Sequence, residues 1–365
     1  MAAPSDVNRL IEDAKRICAV PAPTFAEAQR AELVRGMLGE AGAQPRIDEI
    51  GNVVCAFGND EEPTVVFAAH LDTVFPAEQR IVIDHDPARG TIAAPGIGDN
   101  SLSVAALVAL ARRFVEAPPA GRVMLAATVG EEGLGDLRGA RHLLAVTPCR
   151  AFVAVEGATL DSIKHAGVGS IRYRVTYRGP GGHSWSDRGA PSAVHGLLEA
   201  GARFLTEPAP PDVARNIGRF SGGTSINTIA AEASLELDLR GERTEQLAAV
   251  AARARAVFGK APPGLHADVE TIGERPAGGI AAEHPLMQAA RRVREIAGLP
   301  PAEEGSSSTD ANAAYGRGIP AITVGLTTGA NGHRVDERIN LGPLAGGMRA
   351  LELLADELAG AEPDS

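Results

Sequence analysis

Short, solidly apolar runs recur along this chain, and each ends on residues able to do chemistry. The run 123–129 (VMLAATV) stops at Gly130 and is followed by Glu131 and Glu132. The run 64–69 (TVVFAA) leads into His70, Leu71 and Asp72, 151–155 (AFVAV) leads into Glu156, and 321–326 (AITVGL) leads into a loop that holds His333. Runs this short, with no polar alternation, predict strands of a parallel sheet covered on both faces. Helical spacing marks 5–17 and 25–42, with Ser5 and Thr24 as N-caps. It also marks the alanine-rich 101–116, stopped by Pro118 and Pro119, and then 136–146, 285–296 and 344–358. Gly51-Asn52 predicts a hairpin over 46–57, and Asp86-Pro87 with Arg89-Gly90 predicts another over 81–92.

From about Gly167 the texture changes. The segments 169–177, 217–222, 225–240 and 265–271 read as strands, the first of them plainly alternating polar and apolar residues, with helices over 190–207 and 242–258. The order β-α-β-β-α-β predicts a ferredoxin-like α+β module with one covered sheet face. Solid apolar texture returns after about Pro276. The expected architecture is therefore a two-domain α/β protein. A catalytic domain with a mixed, mostly parallel sheet would be built from 1–166 and 276–365, and 167–275 would be an inserted domain.

Composition narrows the function. The 365 residues carry a net charge of −11 and no lysine or arginine run, which argues against nucleic acid as a partner. No apolar stretch reaches the roughly 18 residues that span a bilayer, and the polar start of the chain shows no signal-peptide pattern. The three cysteines, Cys18, Cys55 and Cys149, are far apart and odd in number, so a disulfide framework is not expected and the cytoplasm is the default location. Cys55 reads as a buried thiol rather than a nucleophile.

In open α/β sheets ligands bind outside the carboxyl ends of the strands. His70, Glu131, Glu132, Glu156 and His333 fall at such ends, and Asp99 stands in the glycine-rich GIGDN loop ahead of a helix. Imidazole and carboxylate together suit zinc, manganese or cobalt. There are more acids than one zinc needs, and two metals bridged by a carboxylate would use them. One acid of the Glu131–Glu132 pair could move a proton instead of binding metal. Asp72, two residues after His70, could fix the imidazole tautomer.

HLDTVFP at 70–76, GIGDN at 96–100, GEEG at 130–133, VEG at 155–157, GPGGHSW at 179–185 and the late His333 resemble the M20 family of metallopeptidases, in motif order and in the inserted domain. That family holds tripeptide aminopeptidases, carboxypeptidase G-type enzymes, dipeptidases and N-acyl amino acid deacylases. The resemblance implies a zinc-peptidase-like catalytic domain, with the insertion serving as a lid and dimerisation domain. It implies two divalent metal ions, Zn2+ first, with Co2+ or Mn2+ as alternatives. His70, Asp99 and Glu156 would bind one metal, and Asp99, Glu132 and His333 the other. Glu131 would be the general base, Asp72 would orient His70, and His183 would polarise the scissile carbonyl, in some dimers from the partner chain. Asn227 and Arg240 would contact substrate, and Ser308, Thr309 and Asp310 would face it. The implied substrate is a short peptide or an N-acyl amino acid, cleaved at an amide bond by activated water. Two departures from the family pattern, at 101–103 after Asn100 and at 334–337 after His333, leave the ligands themselves untouched.

Other classes fit less well. The nucleophile elbow G-x-S-x-G is absent, and so are the P-loop and the dinucleotide fingerprint. A catalytically inactive binding scaffold of the same shape would be expected to lack a ligand or the base, yet all those positions are filled. Between peptidase and N-acyl amino acid deacylase the sequence does not choose.

Overall fold

The computed structural model describes residues 6–59 and 63–360. Two compact units emerge, Met1–Gly167 with Gly279–Ser365, and Val168–Gly278.

The first unit is built on a mixed sheet. Four parallel strands lie side by side in the order Val123–Thr128, Thr64–His70, Cys149–Glu156, Ala321–Gly325. Val53–Phe57 runs antiparallel beyond the first of them, and Ser162–Gly167 runs antiparallel beyond the last. The apolar runs are solid because both faces are packed. Val65, Phe67, Ala69, Leu125 and Val153 face one core, with the helices Val7–Cys18, Ala28–Glu40, Leu102–Glu116, Pro285–Ile296 and Leu344–Gly360. Val66, Ala68, Met124, Phe152 and Ala154 face the other, with the helices Arg138–Val146 and Ala311–Tyr315. The two expected hairpins form, as Arg46–Ile47 with Val53–Phe57 and as Asp84–Asp86 with Thr91–Ala93.

Helix starts are where the sequence reading slips. Ser5, the expected first cap, lies outside the described residues; Asp6 caps that helix, accepting from the amides of Asn8 and Arg9. The helix expected from 136 begins at Arg138, because Asp136 and Leu137 both take positive φ. Thr24 caps nothing: its helix runs Ala28–Glu40 after Glu27.

The second unit is a four-stranded antiparallel sheet in the order Val213–Gly222, Glu232–Gly241, Gly169–Arg178, His266–Arg275. The helices Ala193–Thr206 and Thr244–Phe258 share its core with Val175, Tyr177, Leu235, Leu237 and Leu239. The chain order is β-α-β-β-α-β. The strand expected over 225–240 is two pieces. Thr228–Ile229 pairs with Gly182–His183 in a separate ladder, and Glu232–Gly241 enters the main sheet. Gly223, at φ 76°, marks the turn where the chain leaves the sheet before Asn227. Among the described residues no helix is long and apolar enough to cross a membrane.

Candidate metal centre

All four parallel strands end at one rim. His70 and Glu156 are the last residues of their strands. Glu131 and Glu132 follow the strand Val123–Thr128 through Gly130, which sits at φ 67°; a Cβ there would come within 2.6 Å of Nε of Arg138. The turn that delivers the two glutamates thus requires glycine. Asp99 stands just ahead of the helix Leu102–Glu116, which has no side-chain cap. Its carboxylate faces two imidazoles instead.

Oδ1 of Asp99 is 2.9 Å from Nε2 of His70, and Oδ2 is 2.9 Å from Nε2 of His333. Oε2 of Glu156 lies 3.8 Å from the same His70 nitrogen, and Oε1 of Glu132 lies 3.1 Å from the His333 nitrogen. Two three-donor groups result, His70–Asp99–Glu156 and Asp99–Glu132–His333, with Asp99 common to both, and Glu131 joins His70 and Glu132 in a third. A tetrahedral zinc with bonds of about 2.0–2.2 Å keeps its donors roughly 3.3–3.6 Å apart. The spacings here bracket that value, and the nitrogen and oxygen donors suit such an ion. A further cluster, Asp48, Glu49 and His142, also gathers three donors. There Glu49 is exposed and the Asp48 carboxylate holds the amides of Ile50, Gly51 and Asn52, so its geometry is that of a side-chain-closed turn.

The charges at the rim are strongly coupled. Burial alone would raise the Asp99 pKa, but hydrogen bonds from His333 and His70 hold it well below the usual carboxylate range. Burial pushes Glu156 well above that range, against the pull of His70. Burial would lower His70, yet Asp72, Asp99 and Glu156 together push it well up. Hydrogen bonding to Asp99 and Glu132 pushes His333 up to about 10. His333 takes φ 64°, a left-handed conformation that costs a non-glycine residue about 1–2 kcal/mol.

Asp72, expected to orient His70, lies against its Nδ1 through the main-chain oxygen and the carboxylate, and holds the neighbouring turn as well. Nδ1 of His70 is 2.9 Å from the main-chain oxygen of Asp72, whereas its carboxylate Oδ1 stands 3.6 Å off. A carbonyl can only accept, so Nδ1 carries a hydrogen; in the neutral ring, the form a cation would need, Nε2 is the nitrogen left with the lone pair. The Asp72 carboxylate also receives the amides of Glu131 and Glu132, at 2.9 Å each, and the hydroxyl of Thr24, at the same 2.9 Å. The fully buried Arg30 holds the intervening turn through the oxygen of Leu71 at 2.8 Å.

Residues the sequence reading missed complete the frame. Asn100 donates Nδ2 to the oxygen of Val155 and accepts from the amide of Gly157, gripping the chain on both sides of Glu156. Glu337 is buried and accepts from the amides of Gly96, Gly98 and Asp99. The departure at 334–337 therefore does reach a ligand, through the Asp99 amide; the one signal for it was an acid four residues beyond His333. Thr309 bonds Thr323 at 2.8 Å, and Thr128 donates to Asp310 at 2.5 Å, which ties the 305–312 segment to the strand ends.

The remaining predicted residues lie in the second unit. His183 pairs with Thr228 in the short ladder, and Ser184 donates its amide to the oxygen of Asn227, so His183 and Asn227 are neighbours. Nδ1 of His183 accepts from the amides of Trp185 and Ser186. Arg240 is elsewhere, near the far end of the strand Glu232–Gly241, with Nε donating to Asp238 at 2.7 Å.

The sequence model of peptidase family M20/M25/M40 matches residues 66–357. A succinyl-diaminopimelate desuccinylase of Acidiphilium cryptum is 30% identical over 82% of this chain and 84% of its own length. The crystal structure of a tripeptidase from Staphylococcus aureus superposes with a TM-score of 0.82 at 20% identity, covering 98% of this chain and 100% of that one. That of a Bacillus subtilis dinuclear metal-binding peptidase superposes with a TM-score of 0.69 at 17% identity, covering 96% and 98%.

Proposed function

This chain belongs to peptidase family M20/M25/M40, and on that premise we propose that it is a dinuclear-metal amidohydrolase cleaving an amide bond in a short peptide or an N-acyl amino acid. Membership makes it a metal-dependent hydrolase. The finer reading rests above all on Asp99, each of whose oxygens faces a different imidazole at 2.9 Å. In this reading His70, Asp99 and Glu156 hold one divalent cation, and Asp99, Glu132 and His333 the other. Zinc is the first choice for these donors; cobalt and manganese also suit them. When bound, such cations supply Lewis acidity at the scissile carbonyl and lower the pKa of water between them.

The chain's own residues do the rest. Glu131, close to His70 and Glu132, takes the proton of the attacking water and returns it to the leaving nitrogen as the C–N bond breaks. The Asp72 carboxylate holds the main chain at Glu131 and so fixes where that base starts. His183 is suited to the developing oxyanion: Nδ1 accepts two amides, so in the neutral ring Nε2 carries the hydrogen and donates. Asn227 moves with it through the Ser184 amide.

Arg240, proposed to receive a substrate carboxylate, stands roughly 26 Å along its strand from Glu232, near which the His183 ladder lies, at about 3.3 Å per residue. A short substrate cannot reach both ends. Arg240 and the His183–Asn227 pair would then serve different active sites, as a homodimer through this unit would provide.

The desuccinylase relative favours a second substrate reading, deacylation of an N-acyl amino acid. The experiment is metal analysis beside a hydrolysis panel of di- and tripeptides with free and blocked termini and of N-acetyl, N-succinyl and N-aroyl amino acids, with Glu131→Gln as control. Two cations per chain and activity abolished in Glu131→Gln are the expected result, and the blocked-terminus pattern separates peptidase from deacylase. A chain that takes up neither zinc, cobalt nor manganese and cleaves no amide would leave only the scaffold reading.

A further inference from the structure

The Asp99 loop is bound from a point more than two hundred residues away in sequence. Oε1 of Glu337 accepts from the amides of Gly98 at 2.6 Å and Asp99 at 2.8 Å, and Oε2 accepts from Gly96 at 3.1 Å. The main chain adds to this, since the oxygen of Glu337 accepts from the amide of Ala94 at 2.9 Å. The Glu337 amide in turn donates to the oxygen of Arg334, so the clamp is anchored in the turn that follows His333. The loop has been shaped to the carboxylate. Gly96 sits at φ 74°, and a Cβ on Gly98 would come within 3.1 Å of Oε1 of Glu337 and 3.0 Å of Ala158 and Ile339. A side chain at Gly98 would force these neighbours to give by a few tenths of an ångström. Burying a carboxylate is expensive unless hydrogen bonds compensate it, and three convergent amides do so here. A loop that only needed to be closed could use a neutral acceptor at lower cost.

We propose that Glu337 is the positioning residue of the bridging carboxylate: it fixes Asp99 between His70 and His333 by holding the Asp99 amide, and it sets the spacing of the two cation sites. The proposal rests on the dinuclear reading above and adds to it a residue outside the ligand set. It follows that the Asp99 loop and the His333 turn move as one body, so the two halves of the second site, Asp99 and His333, keep their separation even before a cation binds.

Glu337→Gln tests this. The amide nitrogen that replaces one oxygen cannot accept, so either the Gly96 contact or the Gly98–Asp99 pair of contacts is lost while shape is kept. In the metal-free protein, hydrogen exchange should speed up by tenfold or more at whichever amides lose their acceptor, Gly96 or the Gly98–Asp99 pair, with the far-ultraviolet spectrum unchanged. In the manganese-loaded protein, one cation should bind with near wild-type affinity and the other about 10–100-fold more weakly, the usual cost of losing an outer partner. The magnetic coupling between the two manganese ions should change, and kcat should fall with KM held. Glu337→Asp, one methylene shorter, is the second variant if the first does not fold, and it should fall between wild type and Glu337→Gln on each readout. Unchanged exchange at all three amides, Gly96, Gly98 and Asp99, or a variant that binds both cations like wild type with the same coupling, overturns the proposal. A wild type that binds no pair of cations sinks the dinuclear reading instead, and the exchange measurement still reports on the clamp by itself.

Discussion

His70 gives the hydrogen on Nδ1 to the main-chain oxygen of Asp72, 2.9 Å away, and keeps Nε2 for the side facing Asp99. The tautomer is thus set by backbone, and the Asp72 carboxylate is left to hold Glu131 and Glu132 through their amides. Asp72→Asn leaves the backbone acceptor in place but puts an amide nitrogen against one of those donors. The expected outcome is near-normal binding of two cations with kcat lowered about 10–100-fold, measured by metal analysis after dialysis beside steady-state kinetics. Loss of a cation with kcat per loaded enzyme unchanged would assign Asp72 to the imidazole after all.

Metal uptake should depend on pH through His333. In the metal-free protein its pKa is pushed up to about 10 by hydrogen bonding to Asp99 and Glu132. A histidine raised on folding contributes stability that is complete below its ordinary pKa of about 6.5 and lost as pH rises through about 10. The gap in Tm between metal-free wild type and His333→Gln should therefore narrow from pH 7 to pH 10. A cation needs the neutral ring, so loading near pH 7 releases this proton, and apparent affinity should climb with pH by up to about tenfold per unit for each proton displaced. Calorimetry in buffers of different ionisation enthalpy reads the release directly; zero release and a flat affinity between pH 6.5 and 8.5 would refute it.

Gly130→Ala should destabilise the first unit and damage the site together. The residue sits at φ 67°, and the new Cβ would meet the Arg138 side chain at 2.6–2.9 Å. The conformational term alone is about 1–2 kcal/mol, to which moving Arg138 off its bidentate contact with Glu27 adds. Urea unfolding should show a lower midpoint with the slope unchanged, and kcat should fall because the turn carries Glu131. A midpoint equal to wild type would show that the turn accommodates a side chain freely.

The three thiols should be silent in the native protein. Burial pushes Cys18 and Cys149 up to about 11 and Cys55 up to about 12, against an ordinary 9.0. A thiol raised on folding holds its proton more tightly in the native state, so its stabilising share is present below pH 9 and fades above it. At pH 8 a disulfide reagent should react at well under a hundredth of the rate seen in denaturant, where all three titrate. Rapid native reaction at Cys55 would reopen the thiol nucleophile that the sequence argued against.

The sequence by itself determined the layered architecture and the membership of the rim. Solid runs such as 64–69 and 123–129 can be satisfied only between two cores, and they are, with Phe67 and Leu125 in one and Val66 and Met124 in the other. Because parallel strands end together, His70, Glu131, Glu132 and Glu156 had to meet wherever the sheet formed. Periodicity and strand ends are local, and local patterns survive in one dimension.

Tertiary structure alone decided what the side chains do once gathered. Thr24 looked like a cap and became a partner of Asp72; Asp72, expected to orient His70, meets its Nδ1 through the main-chain oxygen and also holds two amides. Asn227 left its expected strand for the turn just before the ladder of His183, where its oxygen accepts from Ser184, while Arg240 stayed at the other end of the sheet. Glu337 reached the Asp99 amide across 238 residues of chain. Each of these is a hydrogen bond whose partner is chosen by direction and by a few tenths of an ångström, between segments that only the packed core brings together. No spacing along the chain encodes such a choice.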